Sequence, residues 1–277
     1  DGPDGGAAVF EYDPAFAAAG VEPAPLMMPV RGGRYSFPDL GRGSFRGLPG
    51  MLADSLPDAF GNSLIDAWLA RQGRTGPMSP VERLRYTGER GMGALEFRPP
   101  EARGSAESSP IDVAALTELA ARVLHDREAF STSLSGEGDE RALTDILMVG
   151  TSAGGQRPKA VIAFNEQTGE VRSGQVPADS GFEHWILKFD GVDSGPAQGR
   201  GALGSPAGYG AIEYAYSMMA RAAGIEMTPC RLLEEGGRRH FMTRRFDRPG
   251  PDEKLHMQSL AALKHLDFMQ AGAHSYE

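Results

Sequence analysis

The sequence predicts an α+β fold built as two units, and three observations predict it. Stretches of helical periodicity alternate with short apolar runs of strand length, the apolar runs concentrate in the second half, and a break rich in Pro, Gly and Ser over 99–110 separates the halves. The first unit is placed at 1–107 and the second, an antiparallel sheet with helices, at 108–277.

In the first unit, Gly and Pro are frequent up to about residue 50, and only short segments at 7–10, 27–30 and 35–37 read as strands or edge pieces. The first clear helix spans 59–71, where Leu64, Ile65, Trp68 and Leu69 recur at helical spacing and make one apolar face. Asp58 precedes it, and a carboxylate there accepts the orphan N–H groups of the first turn. Gly73 is the stop. A short helix at 81–86 and a strand at 92–97 follow.

The second unit opens with a helix at 113–126, capped by Asp112, with Leu116, Leu119, Ala120, Val123 and Leu124 as its buried stripe. After a polar loop at 131–140 the pattern turns to strands at 146–149, 160–164, near Val171 beyond a turn at 165–170, and 184–189. A loop at 206–210 leads to a helix at 212–223 closed by Gly224. Segments 231–233 and 240–243 read as a hairpin across Glu234-Glu235-Gly236-Gly237. No internal repeat is evident.

Composition narrows the function classes. With 40% hydrophobic and 23% charged residues over 277 positions, the chain can bury a core. A net charge of −9 with no basic face speaks against direct DNA binding and leaves a basic partner open. The single cysteine, Cys230, rules out an internal disulfide and a cysteine-based zinc site, and suits a reducing, cytoplasmic setting. No apolar stretch reaches membrane-helix length, and the first residues lack the regions of a signal peptide. Since the sequence does not begin with Met, a start inside a longer chain is expected.

The most informative stretch is 146–162. Gly150-Thr151-Ser152-Ala153-Gly154 matches the G-x-S-x-G elbow of serine hydrolases, but that motif needs a strand–turn–helix context. Pro158 and the β-like run that follows it make the context strand–loop–strand instead. The second reading is a phosphate cradle, because Gly154 and Gly155 let backbone N–H groups approach phosphate oxygens with no Cβ in the way. It is not a Walker A loop, since Lys159 is not followed by Ser or Thr. An ordinary hairpin loop would show the same glycines.

Downstream, Lys188 interrupts the apolar strand His184-Trp185-Ile186-Leu187-Lys188-Phe189, and Glu213 lies in the next helix. Alone, Lys188 reads equally as a snorkelling lysine at a sheet edge, and Glu213 as a solvated glutamate of a first turn. Together, the order of glycine loop, strand lysine and helix glutamate is the one a kinase nucleotide lobe needs, where the lysine binds phosphates and the glutamate holds it.

Several segments resemble the HipA family of toxin–antitoxin kinases: 152–160, 184–189, Thr243-Arg244-Arg245-Phe246-Asp247-Arg248, the Leu48-to-Asp58 stretch and Gly91-Met92-Gly93-Ala94-Leu95. The resemblance runs over nearly the whole chain and implies an N-terminal accessory subdomain followed by a protein-kinase-like N-lobe. It implies a phosphate loop at Ala153, Gly154, Gly155, Gln156, Arg157 and Lys159, phosphate contact by Lys188 and pairing by Glu213. It also implies a hinge against adenine at Arg244, Arg245 and Phe246, mostly through backbone groups, and autophosphorylation at Ser152, which otherwise reads as a turn hydroxyl. Many relatives carry Glu where Arg244 stands. Asp247 reads as structural, paired with a nearby arginine. The implied cofactors are ATP and Mg2+. The implied partners are a HipB-like DNA-binding antitoxin, with DNA reached only through it, and a protein substrate such as an aminoacyl-tRNA synthetase.

One departure from the family is large. Phosphoryl transfer needs a catalytic-loop Asp, a downstream Asn and a metal-binding Asp. After Arg248 the aspartates are Asp252 and Asp267, in no such motif. No catalytic or metal-binding residue is therefore assigned within the chain. The polypeptide is expected not to transfer phosphate unaided, as a piece or ordered half of a longer protein or as a subunit needing a partner chain. A non-catalytic binding module of kinase shape is the remaining alternative. The hydrolase and kinase readings separate with a serine-directed fluorophosphonate: the kinase reading expects no label, whereas labelling mapped to Ser152 by mass spectrometry would establish the elbow.

Overall fold

The computed structural model describes residues 6–71, 73–74, 76–99, 110–125, 158–174, 180–192, 208–250, 253–270 and 272–275. The chain divides into two compact units, each made of separated segments. Asp1–Leu56, Met78–Glu101 and His256–Glu277 form the first; Pro57–Pro77 and Ala102–Leu255 form the second.

The first unit is made of short pieces because its sequence is dense in Gly and Pro. Strands β1 (Phe10–Glu11) and β2 (Arg34–Tyr35) make an antiparallel ribbon. Helix α1 (Pro14–Ala18) starts on Asp13, whose Oδ1 accepts the Ala15 N–H at 2.8 Å, with Pro14 pre-set for the first turn. Short helices α2 (Arg42–Phe45) and α3 (Gly50–Ala53) follow. The core here is Tyr12, Ala24, Met28, Val30 and Met51. The Tyr12 hydroxyl donates to the Met28 carbonyl at 2.9 Å, and burial pushes this phenol up to about 12.

Two segments of this unit differ from the sequence expectation. Residues 27–30 form no strand: Pro29 has no N–H for a ladder, and the Val30 N–H goes to Glu22 Oε2 at 2.9 Å as the chain enters a 3-10 turn, Val30–Gly32. Residues 92–97 form no strand: 92–94 are bends, because Gly93 takes φ +74° and breaks the extended run. Helix α5 (Pro80–Thr87) carries a capping box between Ser79 and Glu82 and closes on Gly88.

The second unit contributes helix α4 (Ala59–Arg71), helix α6 (Val113–His125 in chain order) and a five-stranded sheet. The strands are β3 (Lys159–Phe164), β4 (Val171–Ser173), β5 (Glu183–Lys188), β6 (Cys230–Glu235) and β7 (Arg238–Arg244). Their order is β4-β3-β5-β7-β6, antiparallel at every junction. Strand β3 is buried along its whole length, which explains its unbroken apolar run from Ala160 to Phe164. The β6–β7 hairpin is longer than its apolar residues suggested. Its turn is Gly236-Gly237, with φ +56° and +74°, the pair of positive values that a tight hairpin of this type needs, while Glu234 and Glu235 face Arg239 and Arg238 across the ladder.

Between β5 and β6 in the chain, helix α7 (Tyr209–Ala222) packs against β7 and β6. A short helix α8 (Leu260–Lys264), capped by Ser259, belongs to the first unit. Among the described residues no helix is long and apolar enough to cross a membrane.

The approach of α7 to the sheet depends on Gly210. A Cβ there would meet the Arg239 carbonyl oxygen at 2.0 Å and the Phe241 nitrogen at 3.0 Å, both backbone atoms that cannot step aside. Gly210→Ala gains about 1 kcal/mol of helix propensity. The overpacking opposes it and is expected to win, for a net destabilisation of about 1–3 kcal/mol in chemical denaturation.

Candidate functional site

Lys188 is the last residue of β5, and its Nζ pairs with Glu213 Oε2 from the second turn of α7. Both side chains are partly exposed, 32% and 28%, so the ammonium remains within reach of a ligand. The Phe241 ring on the neighbouring strand lies 5.5 Å from Nζ.

Directly opposite Lys188 on β3 stands Lys159, on the same sheet face. Lys159 is far less accessible. Its Nζ lies 3.6 Å from Asp58 Oδ2, with side chains 8% and 5% exposed. Burial pushes the lysine down and the aspartate up, and their mutual attraction opposes both shifts. Asp58 is also the helix cap expected from sequence: its Oδ1 accepts the Gly61 N–H at 2.7 Å.

Two residues beyond Lys188, Asp190 holds the N-terminus of α7. Its carboxylate accepts the Gly208 N–H at 2.9 and 3.1 Å and the Gly210 N–H at 3.3 Å. Its own N–H donates to His240 Nδ1 at 3.0 Å, and its carbonyl accepts from Arg238 Nη1 at 2.8 Å. Strand β5 therefore grips α7 twice, at the helix start through Asp190 and one turn later through Lys188.

At the other end of β5, Trp185 pairs with Arg244 of β7. The Arg244 N–H donates to the Pro229 carbonyl and the Arg245 N–H to the His184 carbonyl, each at 2.9 Å. The Arg244 guanidinium reaches Glu183 at 3.1 Å. Arg245 is buried and bound through two nitrogens to Asp247, at 2.9 and 2.6 Å, and Arg248 adds 2.8 Å to the same carboxylate. Asp247 is thus the structural, arginine-paired residue expected from sequence. Phe246 is 57% exposed.

Of the residues singled out from sequence, the fold brings Lys188, Glu213 and Lys159 together and puts Arg244, Arg245 and Phe246 at the far end of the same strand pair. Ser152, Ala153, Gly154, Gly155, Gln156 and Arg157 lie outside the described residues. The described chain resumes at Pro158 and runs straight into β3, so a strand follows where a nucleophile elbow leads into a helix. Asp190 and His240 escaped the sequence reading. The alternation Lys188-Phe189-Asp190, which gives lysine and aspartate one face, was the available signal. Asp58 was read only as a cap.

The HipA N-terminal domain matches residues 2–98, and the HipA-like C-terminal domain matches residues 151–277. The chain belongs to the HipA family. Among solved structures it is similar to a chain of the Shewanella oneidensis MR-1 toxin–antitoxin complex of HipA, HipB and operator DNA, at 17% identity and a TM-score of 0.47. That match covers 90% of this chain and 48% of the other, so the chain spans about half of that relative's length. No curated protein matches.

His240 links this geometry to pH. Burial holds its imidazole below the ordinary value of 6.5, against the pull of Asp190, and Nδ1 must stay unprotonated to accept the Asp190 N–H. As pH falls through about 6.5 the unfolded chain takes up a proton that the folded chain refuses. This stability is therefore full above pH 6.5 and lost below it. Thermal melts from pH 7.5 to about 5 should show the melting temperature falling. His240→Asn, which keeps an acceptor but cannot titrate, should reduce the slope, and His184 and His265, which burial also holds below 6.5, account for what remains.

Proposed function

We propose that this chain supplies the nucleotide-binding part of a HipA-type serine/threonine protein kinase. The observation that carries the reading is the Lys188–Glu213 pair, formed between the strand beyond a glycine-rich stretch and the helix that follows it. A phosphate-binding lysine needs a fixed position and full charge, and a glutamate from a docked helix provides both.

On this reading the Lys188 ammonium binds the phosphate oxygens of ATP, and Glu213 orients it. Lys159 stands at the exit of the phosphate loop formed by 153–159. The adenine lies toward Arg244, Arg245 and Phe246. The Arg244 and Arg245 N–H groups are already engaged within the sheet, and the exposed Phe246 ring is available to meet the base. The partly exposed Lys188 ammonium is the one presented to a polyphosphate. On this reading the part of these residues is to bind and orient the nucleotide. Ser152, beside the loop, is the autophosphorylation site on the same reading; a phosphate there would repel the nucleotide's own.

Family membership extends the proposal. The complete protein phosphorylates a Ser or Thr of another protein in the cytoplasm, such as an aminoacyl-tRNA synthetase. A HipB-like antitoxin neutralises it and makes the contact with DNA. The net charge of −9 suits a basic partner.

The test is calorimetric titration of the 277-residue chain with ATP. Saturable binding is expected, weakened about tenfold or more in Lys188→Met as a direct charge contact is lost. Absence of binding by the wild-type chain, or an unchanged affinity in the variant, would refute the assignment.

A further inference from the structure

Asp58 has no part in the kinase reading, yet through its buried pair with Lys159 it touches that site. Lys159 and Lys188 face each other across β3 and β5, and Lys159 lies within the field of both Lys188 and Glu213. Two ammonium groups and two carboxylates thus share one small, partly dry volume. Charge interactions there are several times stronger than in water. If either carboxylate is removed, both lysines compete for the one that remains.

Resting on the nucleotide reading, we propose that Asp58 is a positioning residue of this site: it neutralises Lys159, which leaves Glu213 to Lys188 and keeps the phosphate-facing ammonium in place. The geometry divides the labour. Asp58 spends Oδ1 on the Gly61 N–H of the helix cap and turns Oδ2 to Lys159. Its pair is nearly sealed from solvent, whereas Lys188 and Glu213 remain open to a ligand. Lys159 is thereby confined to the loop exit, and Lys188 is the ammonium presented outward. Asp58 comes from the stretch matched by the HipA N-terminal domain, although its contacts place it in the second unit. The N-terminal region would in this way set phosphate affinity without touching the nucleotide.

Asp58→Asn isolates the charge, since Asn caps a helix as well as Asp does. The 277-residue chain is titrated with ATP and, separately, with adenosine, which lacks phosphates. The expected result is an ATP affinity about tenfold weaker with adenosine affinity unchanged. In Asp58→Asn/Lys159→Met the competing ammonium is gone, and ATP binding should be tighter than in Asp58→Asn alone. Equal losses for ATP and adenosine, no loss for either, or a double variant that binds ATP no better than the single one would overturn the proposal. If Asp58→Asn does not fold, Asp58→Ser, which keeps a capping oxygen without the charge, takes its place with the same expected and overturning results. A wild-type chain that binds adenosine and ATP not at all removes the nucleotide reading itself, and this inference with it.

Discussion

The attachment of helix α7 to strand β5 is the constraint on which the second unit's site depends. A helix N-terminus presents unpaired N–H groups, and Asp190 meets those of Gly208 and Gly210 from the strand end. The same residue is held from behind by His240 and Arg238 of β7. The helix start is thereby tied to two strands at once. Gly210 allows the close approach because it offers no Cβ to the β7 backbone. Only with the helix seated at this distance does Glu213 meet Lys188.

Charge balance is the second theme. Ionised groups in low dielectric are tolerated when each finds an opposite charge and further hydrogen bonds. The unit meets this condition at both ends of the β5–β7 pair. At one end Lys159 and Lys188 are matched by Asp58 and Glu213. At the other, Asp247 accepts from Arg245 and Arg248, which pins the chain leaving β7. The two clusters differ in access. The Asp247 cluster is sealed and acts as an anchor, while the Lys188–Glu213 pair stays partly open. This contrast leaves one end of the strand pair open to solvent and makes the other a sealed anchor.

Much of the fold was legible in the sequence where the signal is local. Apolar residues at helical spacing marked α4 and α6, and the run from Ala160 to Phe164 marked β3. Asp58 and Asp112 were recognisable as caps because a cap acts within its own first turn. Local signals misled where the context was not local. The apolar residues at 27–30 suggested a strand, but their side chains fill the first unit's core from a turn. At 92–97 the extended pattern met Gly93 at φ +74°, and the segment turned instead of running on as a strand. Glu234 and Glu235 looked like turn residues, yet a ladder partner on β7 drew them into β6.

By itself the sequence determined the alternation of helices and strands, the Gly-Gly hairpin turn and the order of lysine strand and glutamate helix, because periodicity and backbone sterics act over a few residues. It also carried the motifs that place the chain in the HipA family. Only the tertiary structure decided which carboxylate serves which lysine. That choice rests on the antiparallel register that sets Lys159 opposite Lys188, and on the docking that delivers Asp58 and Glu213 from distant parts of the chain. Register and docking are set by the summed burial of whole faces. No short stretch of sequence contains that sum, and so none specifies the pairing.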